Sequence, residues 1–343
     1  MDIKSAQNLP IFIITVDTEA DDAWAPPEKI EVRNLIELRR FHDLCQAYGI
    51  IPTYLVTYEC AKLEEAISVL KPIADSGQCE IGHHLHCWTT PPFVKEGPPG
   101  VDIAWFGAYQ SELPESLFRE KAECLRNEIV KAYGIYLTSH RAGRWGIDQR
   151  SVDWLIENGF VAESSVTPLI NWATSIGKKT GGPSFYSSPQ NPYFWHSKLI
   201  SNQHAPFLVE IPITVEYPDG FALRGLAGYI KRELPGTKFV DRLYKKLGGG
   251  RIFRPDPRYS ENIMLGIMEN AIKNRMFAIN LMIHSSELSV GLSPFSKTKD
   301  LCAQVWQKLK VIFKHVKKLG LQSTTLSEAA IMYRDKHYYS IRR

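Results

Sequence analysis

The chain has 343 residues, 44% hydrophobic, 11% aromatic and 23% charged, with 41 Lys and Arg against 37 Asp and Glu and a net charge of +4. These proportions are ordinary for a globular protein and exclude a disordered, collagen-like or coiled-coil chain. The charge is too small to point to nucleic acid on its own, and the length fits two average domains or one large α/β barrel equally well.

In chain order, Met1 to Pro10 is polar and has no signal-peptide-like apolar stretch. No apolar run approaches the roughly 18 residues that span a bilayer. Ile11 to Val16 (IFIITV) is a short β-branched run and predicts a buried strand. Asn34 to Tyr48 carries Leu35, Leu38, Phe41, Leu44 and Cys45 at helical spacing and stops at Gly49. Ile50–Val56 predicts a second strand, Glu59–Ser76 a helix and Cys79–Gly82 a third short strand. Leu117–Tyr133 is an amphipathic helix ended by Gly134. Ile135–Ser139 and Phe160–Glu163 read as strands with a helix, Gln149–Asn158, between them. Phe207–Thr214 and Phe277–Ile283 are later strands, and helices near Lys297–Lys318 and Leu326–Tyr333 close the chain. Alternating strands and helices predict βαβ units with parallel pairing, and six or seven such units favour a barrel-like sheet. The six cysteines (Cys45, Cys60, Cys79, Cys87, Cys124, Cys302) are scattered with no CxxC pair. With no export signal they read as reduced thiols, and the expected location is the cytoplasm.

Two stretches break the alternation. Thr89–Pro114 is rich in Pro, Gly and aromatics and reads as a lid or substrate loop, or as a long packed surface loop. Arg224–Arg258 holds ten basic and three acidic residues. It reads as a solvated helical insertion or as contact with an anionic partner, either a membrane surface or phosphate on a substrate.

In a parallel barrel, chemistry gathers at the C-terminal strand ends. After the first strand come Asp17-Thr18-Glu19 and Asp21-Asp22; after the third, His83-His84-Leu85-His86; after the fourth, His140 to Gly146; after the last, His284-Ser285-Ser286-Glu287. Asp17 and Glu19 alternate and so share a face, as do His84 and His86. Two histidines and a carboxylate with an open position form a common catalytic zinc pattern. Arg141 is a natural partner for a buried carboxylate. There is no GxSxG elbow, no HExxH and no Walker A loop, because Gly177-Lys178-Lys179-Thr180 lacks the upstream glycine.

The four strand-end segments together resemble the polysaccharide deacetylase family (carbohydrate esterase family 4, the NodB-homology domain), and most closely its WalW-type branch associated with lipopolysaccharide synthesis. Thr15-Val16-Asp17-Thr18-Glu19 is similar to the motif TFDDG, and Glu80 to His84 to the approach to the histidine motif. Arg141 to Gly146 (RAGRWG) resembles the third motif, and Leu281 to His284 the final LxxH motif. Pro52 to Thr57 and His284 to Glu287 look like the WalW-type branch in particular. The likeness spans about Pro10 to Met332. It implies a distorted (β/α) barrel of about seven parallel strands, a single domain over 1–343 with a basic helical insertion at about 224–258.

The resemblance implies roles as well. Asp17 falls at the general base, Arg141 at the arginine that orients it, Trp145 at a backbone N–H of the oxyanion site, His284 at the general acid and His84 at the first metal ligand. The family spacing HxxxH would place its second histidine at Trp88, so His86 is the nearest substitute, and Glu19 or Asp22 stands in for the acid replaced by Thr18. The implied cofactor is a divalent metal, zinc above others. The implied reaction is hydrolysis of an N-acetyl group on an amino sugar, with a bell-shaped pH dependence and Trp24, Trp88 or Trp105 available to stack on a sugar ring. A cytoplasmic enzyme of this kind would meet a nucleotide- or lipid-linked saccharide, and both bear phosphate. Two other readings stay open: an amide or imide hydrolase acting on a non-sugar compound, and a metal-free saccharide-binding homologue.

Overall fold

The computed structural model describes residues 9–26, 28–197, 207–216 and 250–341. The basic insertion expected at 224–258 lies outside the described residues as far as 249. Ten strands are described: β1 Ile11–Thr18, β2 Pro52–Val56, β3 Glu80–Leu85, β4 Ser139–Ala142, β5 Ala162–Glu163, β6 Tyr193–His196, β7 Phe207–Glu210, β8 Val215–Glu216, β9 Arg251–Ile252 and β10 Ala278–His284. Eight of them form one sheet in the order β10-β1-β2-β3-β4-β5-β7-β6. Every neighbouring pair is parallel except β6 with β7, so seven strands run one way. The curl is completed without a regular ladder. The chain beyond β7 reaches β10 through Thr214 N–H to Asn280 O (3.1 Å), and Met282 N–H donates to Phe253 O (3.1 Å). This is the barrel-like parallel sheet expected from the alternation, in the distorted (β/α) form that the resemblance implies.

Side chains alternate across each strand, and the two faces carry different chemistry. Phe12, Ile14, Val16, Tyr54, Val56, Ile81, Ile279, Leu281 and Ile283 face outward into the main core beneath the helices. The long helix Lys299–Leu319 presents Val305, Leu309, Ile312, Phe313 and Val316 to that core, where each fully buried large side chain contributes about 1.5–3 kcal/mol. The inner face has a smaller apolar plug near the N-terminal strand ends. There Ile11, Ile13, Leu55, Ala162, Val209 and Ala278 meet Leu326, Ala329 and Ala330 of the helix Leu326–Ile341. With the bottom of the barrel closed, polar inward residues collect at the C-terminal end.

Several boundaries differ from the sequence expectation. The helix expected over 59–76 is two helices, Tyr58–Lys62 and Glu64–Asp75, because Leu63 is extended (φ −81°, ψ 131°). The strand expected over 135–139 begins at Ser139 and carries His140 and Arg141 within it, and the third strand runs on through His84 and Leu85. β5 has only two residues, because side chains take over its ladder: Ser165 Oγ accepts from Ala142 N–H (2.8 Å). β6 and the helix Glu261–Lys273 are not among the expected elements, although Met264, Ile267, Met268 and Ala271 of that helix are spaced helically and buried. The stretch 89–114 is stapled to the helix Glu115–Tyr133 by Lys121, fully buried, whose Nζ donates to Thr90 O (2.7 Å), Pro92 O (2.8 Å) and Asp102 Oδ2 (3.3 Å). The stretch is packed, and its Phe106, Gly107 and Tyr109 also line the cavity at the C-terminal strand ends. All six cysteines are free.

Candidate active site

Strand register assembles the site. Asp17 on β1 pairs with His284 on β10 and with Leu55 on β2; Leu55 pairs with Gly82, and His84 pairs with Arg141. Inward-facing Asp17, His84, Arg141 and His284 therefore meet at one end of the barrel. Gly82 makes room for this, since a Cβ there would lie 2.7 Å from Leu55 Cδ2 and closer still to Ser139 Oγ. Gly143 does the same above them, where a Cβ would lie 2.5 Å from Leu85 O and 2.8 Å from His86 Cδ2.

Arg141 is fully buried, which excludes the surface salt bridge as its role. Nη1 donates to Asp17 Oδ1 (2.5 Å), Nη2 to Thr15 Oγ1 (2.8 Å) and Ser164 Oγ (3.0 Å), and Nε to Ser164 O (2.7 Å). Asn280 Nδ2 donates to the same Ser164 Oγ at 2.9 Å. Burial raises the Asp17 carboxyl, but the Arg141 guanidinium bonded to it outweighs that and holds it at about 2. Asp17 Oδ2 remains turned toward His84 Nε2 (3.9 Å) and His284 Nε2 (3.7 Å).

Beside it lies the candidate metal centre. Glu19, His84 and His86 are all buried, and one ligand atom from each lies within 4.8 Å of the others. His86 Nε2 is 3.1 Å from His84 Nε2, and Glu19 Oε2 is 3.3 Å from His86 Nε2 and 3.9 Å from His84 Nε2. Tetrahedral ligands about 2.0–2.1 Å from a common zinc lie about 3.3 Å apart, so the three atoms are near ligand spacing. His84 Nδ1 donates to Arg141 O (2.9 Å), which fixes the tautomer and aims the Nε2 lone pair at the centre. His86 stacks on Trp88 with ring centroids 4.5 Å apart. Burial and the neighbouring charges of Asp17, Glu59 and Glu287 raise the Glu19 carboxyl well above its ordinary value, while burial keeps His84 and His86 neutral. Two neutral imidazoles and a crowded buried carboxylate are a donor set that a divalent cation would relieve. Asp22 does not join them. It is exposed on a loop at φ 45° and lies outside the group.

His284 is oriented from behind. Its Nδ1 lies 2.8 Å from Glu287 Oε1, its backbone N–H donates to the same oxygen (3.0 Å), and Arg254 Nη2 also donates there. Burial raises the Glu287 carboxyl, yet Arg254 and His284 together hold it below its ordinary value. Trp24 lies edge-on to His284 with centroids 4.7 Å apart. Trp145 stands at φ 64° next to Arg144 at φ 54°, two non-glycine residues held in left-handed backbone. The Arg144 guanidinium secures this turn by donating to Gly107 O, Ser175 Oγ (3.0 Å) and Ile176 O (3.0 Å).

These groups line a cavity of about 580 Å³ with Trp24, Trp88, Phe106, Tyr109 and Trp172 in its walls, a size typical of small-ligand sites. Trp105 is not among the lining residues and packs partly buried against the core. The second histidine pair, His83 and His140, faces the other way with Nδ1 atoms 2.8 Å apart and takes no part in the cavity. Thr15, Ser164, Asn280 and Arg254 complete the site, and the sequence assigned no site role to the first three. Of these, Arg254 falls within the basic stretch.

No family model and no curated protein matches the chain. Solved structures are similar to it. A peptidoglycan deacetylase from Bacillus subtilis is 13% identical over 98% of this chain and 97% of that chain, with a TM-score of 0.44. A carbohydrate esterase family 4 pseudoenzyme from Bacillus anthracis is 10% identical over 94% and 66%, with a TM-score of 0.45. A 4-α-glucanotransferase from Thermococcus litoralis is 11% identical over 94% and 40%, with a TM-score of 0.48.

Proposed function

We propose that this chain is a metal-dependent hydrolase that removes an N-acetyl group from an amino sugar. The observation that carries the reading is the convergence of Glu19, His84 and His86 at ligand spacing beside an Arg141-held Asp17 and opposite a Glu287-held His284. A divalent cation at the three ligands, zinc by donor type, would polarise the acyl carbonyl and acidify a water.

The chain's own groups account for the remaining steps. Arg141 occupies Asp17 Oδ1 and leaves Oδ2 toward the cavity, where it takes the proton of the attacking water. Glu287 accepts the Nδ1–H of His284 and so directs Nε2 inward, where it delivers a proton to the departing sugar amine. The Trp145 backbone N–H, set by the left-handed turn at 144–145, serves the developing oxyanion; one such donor is typically worth about 3 kcal/mol. The aromatic walls suit the apolar faces of a pyranose ring, with Trp24 half-exposed at the rim.

The finer reading is a glycan precursor for cell-surface polysaccharide or lipopolysaccharide, linked to a nucleotide or lipid and handled in the cytoplasm, with the basic stretch 224–258 meeting phosphate or the inner leaflet. The main test is acetate release from N-acetylated sugars by zinc-loaded protein, with Asp17→Asn and His284→Ala as controls. Release abolished in both variants supports the reading. A zinc-loaded wild type that releases no acetate from any N-acetyl sugar overturns it. Turnover and vesicle binding unchanged after neutralising Lys245, Lys246, Arg251 and Arg254 would remove the basic stretch from it.

A further inference from the structure

Resting on that reading, we infer that the amino-sugar substrate carries an acidic group, a carboxylate or a phosphate, and that Arg254 receives it. Three arginines lie at or under the cavity, and two of them are already engaged. Arg141 donates to Asp17, Thr15 and Ser164. Arg144 donates to Gly107, Ser175 and Ile176 and lies with its guanidinium carbon 4.5 Å over the Tyr109 ring.

Arg254 differs. Its side chain is 11% exposed and lines the cavity beside His284 and Trp24. Its pairing with Glu287 is one-pronged, from Nη2 to Oε1; Nε–H is buried without an acceptor and Glu287 Oε2 is buried without a donor. An arginine has five N–H groups in a fork that normally grips a carboxylate through two of them. Among the described residues, this one donates through Nη2 alone.

The charges point the same way. Glu287 Oε1 serves both Arg254 and the His284 ring. Asp17 Oδ2 also faces His284 Nε2 (3.7 Å), so the shared Glu287 oxygen leaves Arg254, rather than the ring, short of negative charge. The guanidinium lies 3.8 Å over the Phe295 ring, which holds its plane. An acidic substituent on the ring that bears the departing amine would pair with the Arg254 guanidinium where Glu287 leaves it free.

The test compares kcat/KM for N-acetylmuramic acid, a carboxylate, and N-acetylglucosamine 6-phosphate against neutral N-acetylglucosamine, in zinc-loaded wild type, Arg254→Gln and Arg254→Lys. The expected result is that the wild type prefers at least one acidic sugar and that Arg254→Gln lowers the acidic-to-neutral ratio at least about tenfold, mainly through KM; Arg254→Lys keeps part of it. Whichever acid is preferred identifies the group. An Arg254 that only steadies Glu287 would lower all substrates alike, and an unmoved ratio overturns the inference. If no sugar is deacetylated, the hydrolase reading fails separately. Tryptophan fluorescence during titration with inorganic phosphate or glucuronate then decides: saturable quenching lost in Arg254→Gln supports the anion site, and none in the wild type overturns it.

Discussion

The Asp17 carboxylate and the Arg141 guanidinium meet 2.5 Å apart inside the barrel, with side chains 3% and 0% exposed. A buried pair of this kind is hard to break from one side, because the remaining charge is stranded. Arg141→Ala is expected to destabilise the chain by about 3–5 kcal/mol, read from the urea midpoint. Asp17→Asn keeps an oxygen for Arg141 but strands its charge, so its urea midpoint should fall too, and kcat per folded molecule should fall about a hundred- to ten-thousand-fold. A normally active Asp17→Asn would remove the base from the mechanism.

The metal centre predicts opposite effects on binding and folding. Glu19 is crowded by Asp17, Glu59 and Glu287, so Glu19→Gln relieves repulsion in the metal-free chain. That variant should melt at or above the wild-type temperature without zinc and lose the zinc-dependent rise, which is about 2.7 kcal/mol when zinc is 100-fold above its dissociation constant. His86→Ala should lose the same rise. Calorimetry with and without zinc, beside elemental analysis, checks both; a full zinc complement in either variant would move the centre elsewhere.

Glu287 acts on the reaction through His284. Glu287→Gln keeps an oxygen near His284 Nδ1 but removes the negative charge that supports a protonated ring. Lower kcat with little change in KM for a neutral substrate is the expected split. An unaltered kcat would mean that the contact at 2.8 Å is structural.

Residues at strand ends were legible because a strand fixes both where a side chain sits and which way it points. Asp17 with Glu19, and His84 with His86, follow from an alternation of two. The polar layer beneath was not legible. Ser164 joins Arg141 and Asn280 from positions 23 and 116 residues away, and nothing local separates it from any other serine. Glu287 was visible within His284-Ser285-Ser286-Glu287, but its function depends on Arg254, 33 residues earlier. Asp22 stood second to Glu19 as a ligand in the sequence, and the loop leaves it exposed. Glu19 follows directly on β1, whereas Asp22 lies three residues further into the loop.

His83 and His140 predict acid sensitivity. His83 Nε2 donates to Ala122 O (3.1 Å), so its Nδ1 accepts from His140 Nδ1–H, and His140 Nε2 is left as a buried acceptor without a partner. Burial holds both rings neutral, His83 at about 3 and His140 well below its ordinary value. Unfolded imidazoles bind protons near pH 6.5, so the unfolded chain gains protons first and stability falls as pH drops below about 6.5. For His83 the loss continues down to about pH 3. Urea midpoints across this range should decline with acid. The pair His83→Phe with His140→Leu should flatten the slope, since replacing both partners of a buried polar contact avoids stranding either.

Glu112 holds one wall of the cavity in place from outside the chemistry. Its carboxylate accepts the backbone N–H groups of Tyr109 (2.8 Å), Lys178 (2.8 Å), Lys179 (2.5 Å) and Thr180 (2.7 Å). Tyr109 Oη adds a bond to Ser175 O (2.7 Å). The loop so tied contributes Ser175, Ile176 and Gly177 to the cavity. Partial burial raises the Glu112 carboxyl, but the four amides bring it to about 2. Its ordinary value is higher, so the clasp is intact above about pH 4.5 and is lost as pH falls toward 2. Glu112→Ala should leave the barrel folded and loosen this wall. Amide exchange at 178–180 should accelerate, and KM should rise more than kcat falls, because the substrate then has to order the loop it binds. Unchanged exchange at those amides would show that Arg144 and Tyr109 hold the wall without Glu112.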